Sequence, residues 1–174
     1  MTSSQSKTSQ WRIDFSPMSP TGYKGFYCFE NYWQSGKIYE GTDREKTLGW
    51  WKSQIYGKRR FPQGKGKRIL GAKYFDRIDT LDYIEARKKV YLPEYWNLVK
   101  DTNSIKILIS LIEKGESIVL YGFDGPRDRD GNPLCIEASL DFLKNKLNDE
   151  THPFGHGYII SAIIQGFLQE TLLS

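Results

Sequence analysis

Apolar and polar positions alternate in short blocks along this chain, and glycine or proline residues separate the blocks. Large and polar residues alternate in "WRIDF" and "YKGFYCF", which predicts two short strands on either side of the turn "SPMSPTG". The apolar run "SIVLYGF" is rich in β-branched residues and precedes the charged, glycine-rich loop "DGPRDRDGNP". This pattern predicts a third strand, buried in the core.

Helical spacing covers most of the remaining chain. It predicts a first helix from Phe29 to Tyr39, which ends at Gly41, a residue type common just past helix ends. The segment "DREKTLGWWKSQIYG" predicts a second helix, capped by Asp43 or Thr42 and closed by its final glycine.

Further helices are predicted in the second half of the chain. Residues Leu81 to Tyr91 have a helical pattern with Asp79 or Thr80 as cap, and Pro93 breaks or kinks that helix. The segments "EYWNLVK" and "SIKILISLIEKG" continue as helix, and the second ends at Gly115.

The last part of the chain is predicted as two helices. Ser139 caps a helix that runs to about Leu147, with Asp141 in its first turn. A loop and an apolar helix in "HPFGHGYIISAIIQGFLQE" follow. Taken together, the elements predict a helix-rich α+β fold with a few short strands.

Composition sets the domain organisation and the cellular setting that we expect. A chain of 174 residues with 39% hydrophobic and 14% aromatic content can bury one core. The Ser/Thr/Gln-rich residues 1–10 predict a disordered tail, so that residues 11–174 form a single domain. Two cysteines, Cys28 and Cys135, fit a reducing, intracellular and cytoplasmic location. The longest apolar run is about half of the length that a membrane helix needs, so no membrane partner is expected.

Positive charge is concentrated in one part of the chain. Eight Lys or Arg residues and no acid lie between Lys52 and Lys73, although the net charge is only +4. Such a block can follow a nucleic-acid backbone or hold a pyrophosphate, and a solvated basic loop is the structural alternative.

The stretch "FENYWQSGK" combines aromatic rings with groups that can react. At helical spacing, Glu30, Gln34 and Lys37 fall on one face with Trp33 beside them. The opposite face, with Phe29, Tyr32 and Tyr39, is predicted to pack into the core. Aromatic crowding would desolvate the Lys37 amine and lower its pKa, which favours the neutral, nucleophilic form; an ordinary exposed Glu and Lys are the alternative.

This stretch resembles a motif of the NADAR family, whose name refers to NAD and ADP-ribose metabolism. The family pattern is S-E-H-x-x-Q-x-x-K, and the chain keeps Glu30, Gln34 and Lys37 at the same spacing. It departs from the pattern at Phe29 and Asn31, which stand for the serine and the histidine. The segments "YGFDG" and "FGHG" are similar to a later W-G-D-G-like turn and a Gly/His loop of the family. The late glycine-rich signature of the family has no recognisable counterpart in this chain.

The resemblance implies an N-glycosidase that acts on a ribosyl phosphate or on an ADP-ribosyl group, including ADP-ribose attached to guanine. It implies that Lys37 forms a Schiff base and that Glu30 is the acid. Asp124 in "YGFDG" is the candidate for binding ribose hydroxyls or for acting as a second base, and an ordinary turn aspartate is its alternative. The predicted substrate contacts are Gln34, Trp33, Asn31, Arg60, Lys65, Lys67, Arg68 and His156.

The remaining expectations concern the partner, metals and cofactors, His152 and a rival function. The partner is a small nucleotide or ADP-ribosyl molecule, or a nucleic acid, and neither a metal nor a cofactor is expected. His152, which precedes a proline, is not expected to function. The rival hypothesis is a non-catalytic module that binds nucleotide, ADP-ribose or nucleic acid through residues 52–73.

Overall fold

The computed structural model describes residues 9–174, and it confirms a helix-rich α+β fold. The predicted tail lies mostly outside these residues, since the described chain begins at Ser9. The chain divides into two compact units, and the second unit begins at Arg87. The single-domain assignment stays a prediction.

The first unit combines short helices with a two-stranded sheet. Its elements are α1 (Gln10–Phe15), α2 (Phe29–Ser35), β1 (Lys37–Tyr39), α3 (Arg44–Lys52), a 3₁₀ turn (Pro62–Gly64), β2 (Ile69–Ala72) and α4 (Tyr83–Ala86). Strands β1 and β2 pair antiparallel, with Lys37 opposite Ala72 and Tyr39 opposite Ile69. The register shifts between Ile38 and Tyr39.

Both strands predicted near the N-terminus are wrong. The segment "WRIDF" lies in α1, where helical spacing brings the rings of Trp11 and Phe15 to 5.7 Å between centroids. The segment "YKGFYCF" contains a tight turn in which the amides and carbonyls of Tyr23 and Phe26 bond to each other. Lys24 and Gly25 have φ values of 47° and 81°, so the turn interrupts the strand pattern.

Helix caps in the first unit agree in part with the prediction. Asp43 caps α3 as predicted, and its side chain accepts a bond from the amide of Lys46, although the helix ends at Lys52 rather than Gly57. The cap of α4 is Asp82 rather than Asp79 or Thr80. Asp82 accepts from the Glu85 amide at 2.7 Å, and the Glu85 carboxylate accepts from the Asp82 amide at 3.2 Å.

The second unit consists of packed helices. Its elements are a π-helical turn (Arg87–Tyr91), α5 (Leu92–Val99), α6 (Asn103–Glu113), α7 (Leu140–Asn148), α8 (His156–Ile164) and α9 (Gln169–Leu173). Pro93 lies in the first turn of α5, directly after the π-helical turn, so the helical bonding pattern changes just before the proline and the helix continues past it. Helices α5, α6 and α7 all pack on the apolar α8, and Ser139 caps α7 as predicted.

The strand predicted at "SIVLYGF" is wrong. Residues 117–121 form no strand within the described part of the chain, and Val119, Tyr121 and Phe123 are 73%, 74% and 81% exposed. A β-branched run fits a half-buried pleated surface, and no neighbouring strand among residues 9–174 provides one here.

Candidate active site

Helix α2 is anchored by aromatic packing on the face that the sequence predicts. Phe29, Tyr32 and Tyr39 are at most 7% exposed. The Tyr32 ring lies 5.2–6.3 Å, between centroids, from the rings of Tyr23, Phe26, Phe29, Tyr74 and Phe75. This cluster fixes the rotation of α2 about its axis, and it leaves Glu30 and Gln34 on another face.

The predicted helix from Phe29 to Tyr39 is four residues too long, because α2 ends at Ser35. Gly36 follows, and a Cβ atom at this position would lie 2.4 Å from the Tyr74 ring. The Gly36 carbonyl then accepts a bond from the Lys73 amide, so the chain leaves the helix and pairs with the end of the basic segment. Lys37 therefore lies on β1 rather than on the helix.

Glu30 and Gln34 form a hydrogen-bonded pair one helical turn apart. The Gln34 Nε2 donates to Glu30 Oε1 at 2.8 Å, as the helical spacing predicts. Gln34 is 8% exposed, and its Oε1 is buried without a hydrogen-bond partner among the described residues. A buried carbonyl oxygen without a donor is costly, so this atom is suited to accept a bond from a ligand hydroxyl or amide.

Lys37 is a half-buried amine with no ion pair or hydrogen bond to its Nζ among residues 9–174. Burial lowers its pKa from the ordinary value, the Glu30 carboxylate opposes this effect, and the Arg60 guanidinium adds to it. Although Lys37 lies on β1 rather than on α2, it is still close enough to Glu30 for the two charges to interact. The neutral amine is favoured relative to a free lysine, which is what a nucleophile requires.

Asn31 is fully buried and holds the start of the basic segment. Its Nδ2 donates to the Tyr56 carbonyl at 2.9 Å, and its Oδ1 accepts from the Lys58 amide at 2.7 Å. Both polar atoms of the side chain are therefore engaged by loop backbone. Its role as a substrate contact stays a prediction, and positioning the loop is a role that the sequence analysis missed.

The tryptophans of this unit differ in their environments. Trp33 is half-buried, and its ring stacks on Tyr74 at 6.0 Å between centroids. Trp51 is fully buried in the core, whereas Trp50 is half-buried against Phe61. Stacking of a base on Trp33 stays a prediction.

The cations of the basic segment are exposed, although Phe61 and Ala72 of the same segment are buried. All eight of its Lys and Arg residues are exposed: Lys52, Lys58, Arg59, Arg60, Lys65, Lys67, Arg68 and Lys73. Arg60 is close enough to lower the pKa of Lys37. Lys67 donates to the Gly41 carbonyl at 3.3 Å, and the Lys52 amine lies over the Phe75 ring.

Asp124 and His156 belong to the second unit. The Asp124 carbonyl accepts from the Tyr158 hydroxyl at 2.8 Å, and its carboxylate lies against Gly155, where an added Cβ would be 2.6 Å from Oδ2. His156 begins α8, and its ring lies 5.9 Å from that of Tyr95. Their proposed roles at a substrate stay predictions.

The sequence analysis also missed a cluster around Asp149. The Asp149 carboxylate accepts from the Thr151 hydroxyl, from His152 Nδ1 at 2.9 Å and from Lys146 Nζ at 3.3 Å. The buried Arg87 guanidinium donates to the carbonyls of Asp149 and His152 and so fixes this loop. Asp149 follows the end of α7, so its pairing with His152 depends on the path of the loop, for which the sequence offers no signal.

Metal-ligating and cysteine side chains are not clustered in the described part of the chain. Within residues 9–174, no three metal-ligating side chains come together, and both cysteines are unbonded. Burial raises the pKa of Cys28 to about 11, so its thiol is protonated at neutral pH.

None of the described helices has the length and apolar character needed to cross a bilayer. Comparison with family models, with characterised proteins and with solved structures gives no match.

Proposed function

We propose that this chain is an N-glycosidase-like hydrolase in which Lys37 is the nucleophile. The substrate carries a ribosyl phosphate or an ADP-ribosyl group attached to a base through an N-glycosidic bond. The observation that carries the proposal is the environment of Lys37: its amine has no ion pair or hydrogen bond among residues 9–174, burial lowers its pKa, and it interacts with the Glu30 carboxylate. The resemblance to the NADAR motif supplies the class of reaction.

The reaction divides into two steps. The neutral Lys37 amine forms a bond to the anomeric carbon, and the bond from that carbon to the base nitrogen breaks. The base leaves with the bonding electron pair and receives a proton from Glu30, which has taken it from the Lys37 ammonium. The sugar ring then opens, its ring oxygen takes up the proton that the Lys37 nitrogen releases, and the anomeric carbon becomes an imine with Lys37. Water adds to the imine, which releases the sugar aldehyde and regenerates the amine.

Neighbouring side chains support this assignment. The buried Gln34 Oε1 can accept a bond from a ribose hydroxyl, and its Nε2 holds Glu30 in place. Arg60 is exposed near Lys37, where its planar guanidinium is suited to hold a phosphate.

The test is covalent trapping during turnover. Borohydride is added while the protein acts on an ADP-ribosylated guanine or on a ribosyl-pyrimidine phosphate, and the adduct is located by peptide mass spectrometry. We expect reduction of the imine to leave the sugar attached to Lys37, and Lys37→Met to abolish both the adduct and the release of base. Lys24→Met is the matched control, because Lys24 is paired with Asp76. Absence of adduct and of base release with both substrates would refute the proposal.

A second candidate function is binding without catalysis through the basic segment. It is favoured by the exposure of all eight cations and by the absence of acids between Lys52 and Lys73. A nucleic acid bound there should dissociate as salt is added, because each neutralised phosphate releases counterions. Lys65→Gln and Arg68→Gln would then weaken binding, whereas Lys37→Met and the control Lys106→Gln, an exposed charge on α6, would leave it unchanged.

A further inference from the structure

The second unit contains a cavity that the proposed function does not use. It has a volume of about 440 Å³ and is bounded by the loop of residues 124–131 and by side chains from α7, α8 and the segment between them. Volumes of this size are typical of small-molecule sites, which range from about 300 to 1,000 Å³. The cavity therefore has room for a phosphate together with part of a sugar.

The loop that forms one wall has a defined structure. Residues Arg127 and Pro133 form a bridge, and the Asp128 amide donates to the Asn132 carbonyl at 2.9 Å. Arg127 Nη1 donates to the Gly131 carbonyl at 2.8 Å, which leaves its other guanidinium N–H groups available. The loop thus holds one cation of the cavity in a fixed position.

Two of the acids that line the cavity, Asp128 and Asp124, have carboxylates that contact neighbouring groups of the protein. Asp128 accepts from the amides of Asp130 and Asn132 and from the Asn132 side chain, at 2.8–3.0 Å, and these bonds lower its pKa. The Asp124 carboxylate lies against Gly155. In contrast, Arg129 is exposed at the cavity and makes no side-chain hydrogen bond or ion pair with any residue that the structure describes. The free hydrogen-bonding capacity of the cavity therefore consists mainly of cationic donors.

His152 adds a polar atom whose orientation is set. Its Nδ1 bonds to Asp149 Oδ2 at 2.9 Å, and the same carboxylate holds Lys146, another residue of the cavity lining. An imidazole fixed through Nδ1 presents Nε2 to its surroundings, and the His152 side chain is 67% exposed. Since residues 9–174 contain no group of three metal-ligating side chains, an anion rather than a metal cation fits this set of donors.

We propose that this cavity binds the phosphate monoester group of a phosphorylated molecule, held by Arg127, Arg129 and His152. The two guanidinium groups provide planar pairs of donors for phosphate oxygens. His152 Nε2 contacts a third oxygen, while the bond between Nδ1 and Asp149 holds the imidazole ring in place. The buried Tyr158 ring, which also lines the cavity, is available to the organic part of the ligand. This site does not depend on Lys37 or on the reaction proposed for it.

The test uses inorganic phosphate and sulfate as probes of the full chain. The protein has two histidines, so the ring resonances of His152 and His156 can be followed separately by ¹H–¹⁵N NMR. We expect both anions to bind with dissociation constants below about 10 mM and to shift the His152 resonances while those of His156 stay unchanged. No binding at that concentration, or a response of His156 alone, would overturn the proposal.

Variants separate the site from general attraction of anions. His152→Asn keeps a donor for Asp149 but lacks the Nε2 position, and His152→Gln restores an amide near that position. We expect His152→Asn and Arg129→Gln each to weaken phosphate binding about fivefold, and His152→Gln to recover part of the loss. Lys106→Gln, which removes one exposed charge from α6 outside the cavity, should have no effect. Equal affinities for all four variants and the unmodified chain would contradict the site.

Two further ligands identify the source of the phosphate. Ribose 5-phosphate represents a small metabolite, and a short 5′-phosphorylated oligonucleotide represents the end of a nucleic acid. Binding of either one more tightly than inorganic phosphate, with the same dependence on Arg129, supports the site and names its class of ligand. Failure of both to compete with inorganic phosphate would show that a phosphate monoester is not what the cavity accepts.

Discussion

Lys24 and Lys37, which flank helix α2 in the sequence, show two opposite ways of treating a lysine in the first unit. Lys24 is paired: its Nζ lies 2.8 Å from Asp76 Oδ2 and over the Tyr32 ring at 5.0 Å from the centroid. Burial raises the pKa of Asp76, but the bonds from Lys24 and from the Tyr32 hydroxyl outweigh this effect and hold it below its ordinary value. The pairing with Lys24 therefore stabilises the charged form of the Asp76 carboxyl group.

Lys37 has none of these partners in the described chain. Burial and the nearby Arg60 disfavour its ammonium form, and Glu30 compensates only in part. The comparison teaches that aromatic surroundings do not by themselves produce a reactive amine. An aromatic ring beneath a paired ammonium stabilises the charge, whereas burial without a carboxylate in hydrogen-bonding contact disfavours it.

The largest expected difference between the two lysines is in their reactivity. With trace amounts of acetic anhydride at pH 7, we expect Lys37 to be acetylated faster than Lys24, because burial lowers the pKa of Lys37 and the rate follows the fraction of neutral amine. Competitive isotope labelling and peptide mass spectrometry measure both rates in one sample. Equal rates for the two amines would show that the surroundings of Lys37 do not make it more reactive than Lys24.

Gly36 provides a structural test of how Lys37 is positioned. Gly36→Ala would place a Cβ 2.4 Å from the buried Tyr74 ring, and we expect the free energy of unfolding to fall by about 1–3 kcal/mol. Because Gly36 directly precedes Lys37, the acetylation rate of Lys37 should fall towards that of Lys24.

Gly49 in α3 supplies the matched control. A Cβ there meets no atom within 4 Å, and the residue is exposed within a helix. Gly49→Ala should therefore raise the free energy of unfolding by about 0.5–1 kcal/mol in urea denaturation. Opposite signs for the two substitutions are the expected outcome, and a loss at both positions would count against the role given to Gly36.

The two charges around Lys37 can be tested separately. Glu30→Gln removes a charge that raises the Lys37 pKa, so we expect that pKa to fall further, whereas Arg60→Gln should raise it. Reductive methylation with ¹³C-formaldehyde allows each lysine to be titrated by NMR, and the Lys24 resonance serves as the internal reference. Shifts of the same sign in both variants would contradict the arrangement.

Most helices other than α1 were predicted from the sequence because their signals are local, although several of their ends were misplaced. Asp43 and Ser139 cap α3 and α7 as expected, since each side chain bonds to an amide three residues later. Strands were predicted poorly, because a strand also needs a partner that local spacing does not reveal. The run "SIVLYGF" remains unpaired in the described chain, and β2 formed unpredicted within the basic segment.

The candidate site shows the same division between local and distant contacts. The pairing of Glu30 with Gln34 follows from helical spacing, and it is confirmed. Lys37 was expected to meet Glu30 by continuing the same helix, yet it interacts with Glu30 from strand β1, whose position depends on pairing with Ala72. The contacts of Asn31 with Tyr56 and Lys58 and the Asp149–His152 pair depend on loop paths that no periodicity specifies.

The smallest expected effect is on stability, where the two lysines should differ in sign. Lys24→Met removes a partly exposed ion pair and a contact with the Tyr32 ring, so unfolding should become easier by about 1 kcal/mol. Lys37→Met breaks no ion pair in residues 9–174 and removes an ammonium that burial disfavours, so stability at pH 7 should stay the same or rise.

Because the folded-state pKa of Lys37 is lowered, the unfolded chain binds more protons between that pKa and about 10.4, and the unmodified protein gains stability from Lys37 as pH rises through this window. The advantage of Lys37→Met should therefore be greatest below the folded-state pKa, shrink as pH rises, and vanish only above about pH 10.4, as urea denaturation across this range can show. A loss at pH 7 as large as that of Lys24→Met would mean that the Lys37 ammonium is as well stabilised as its counterpart.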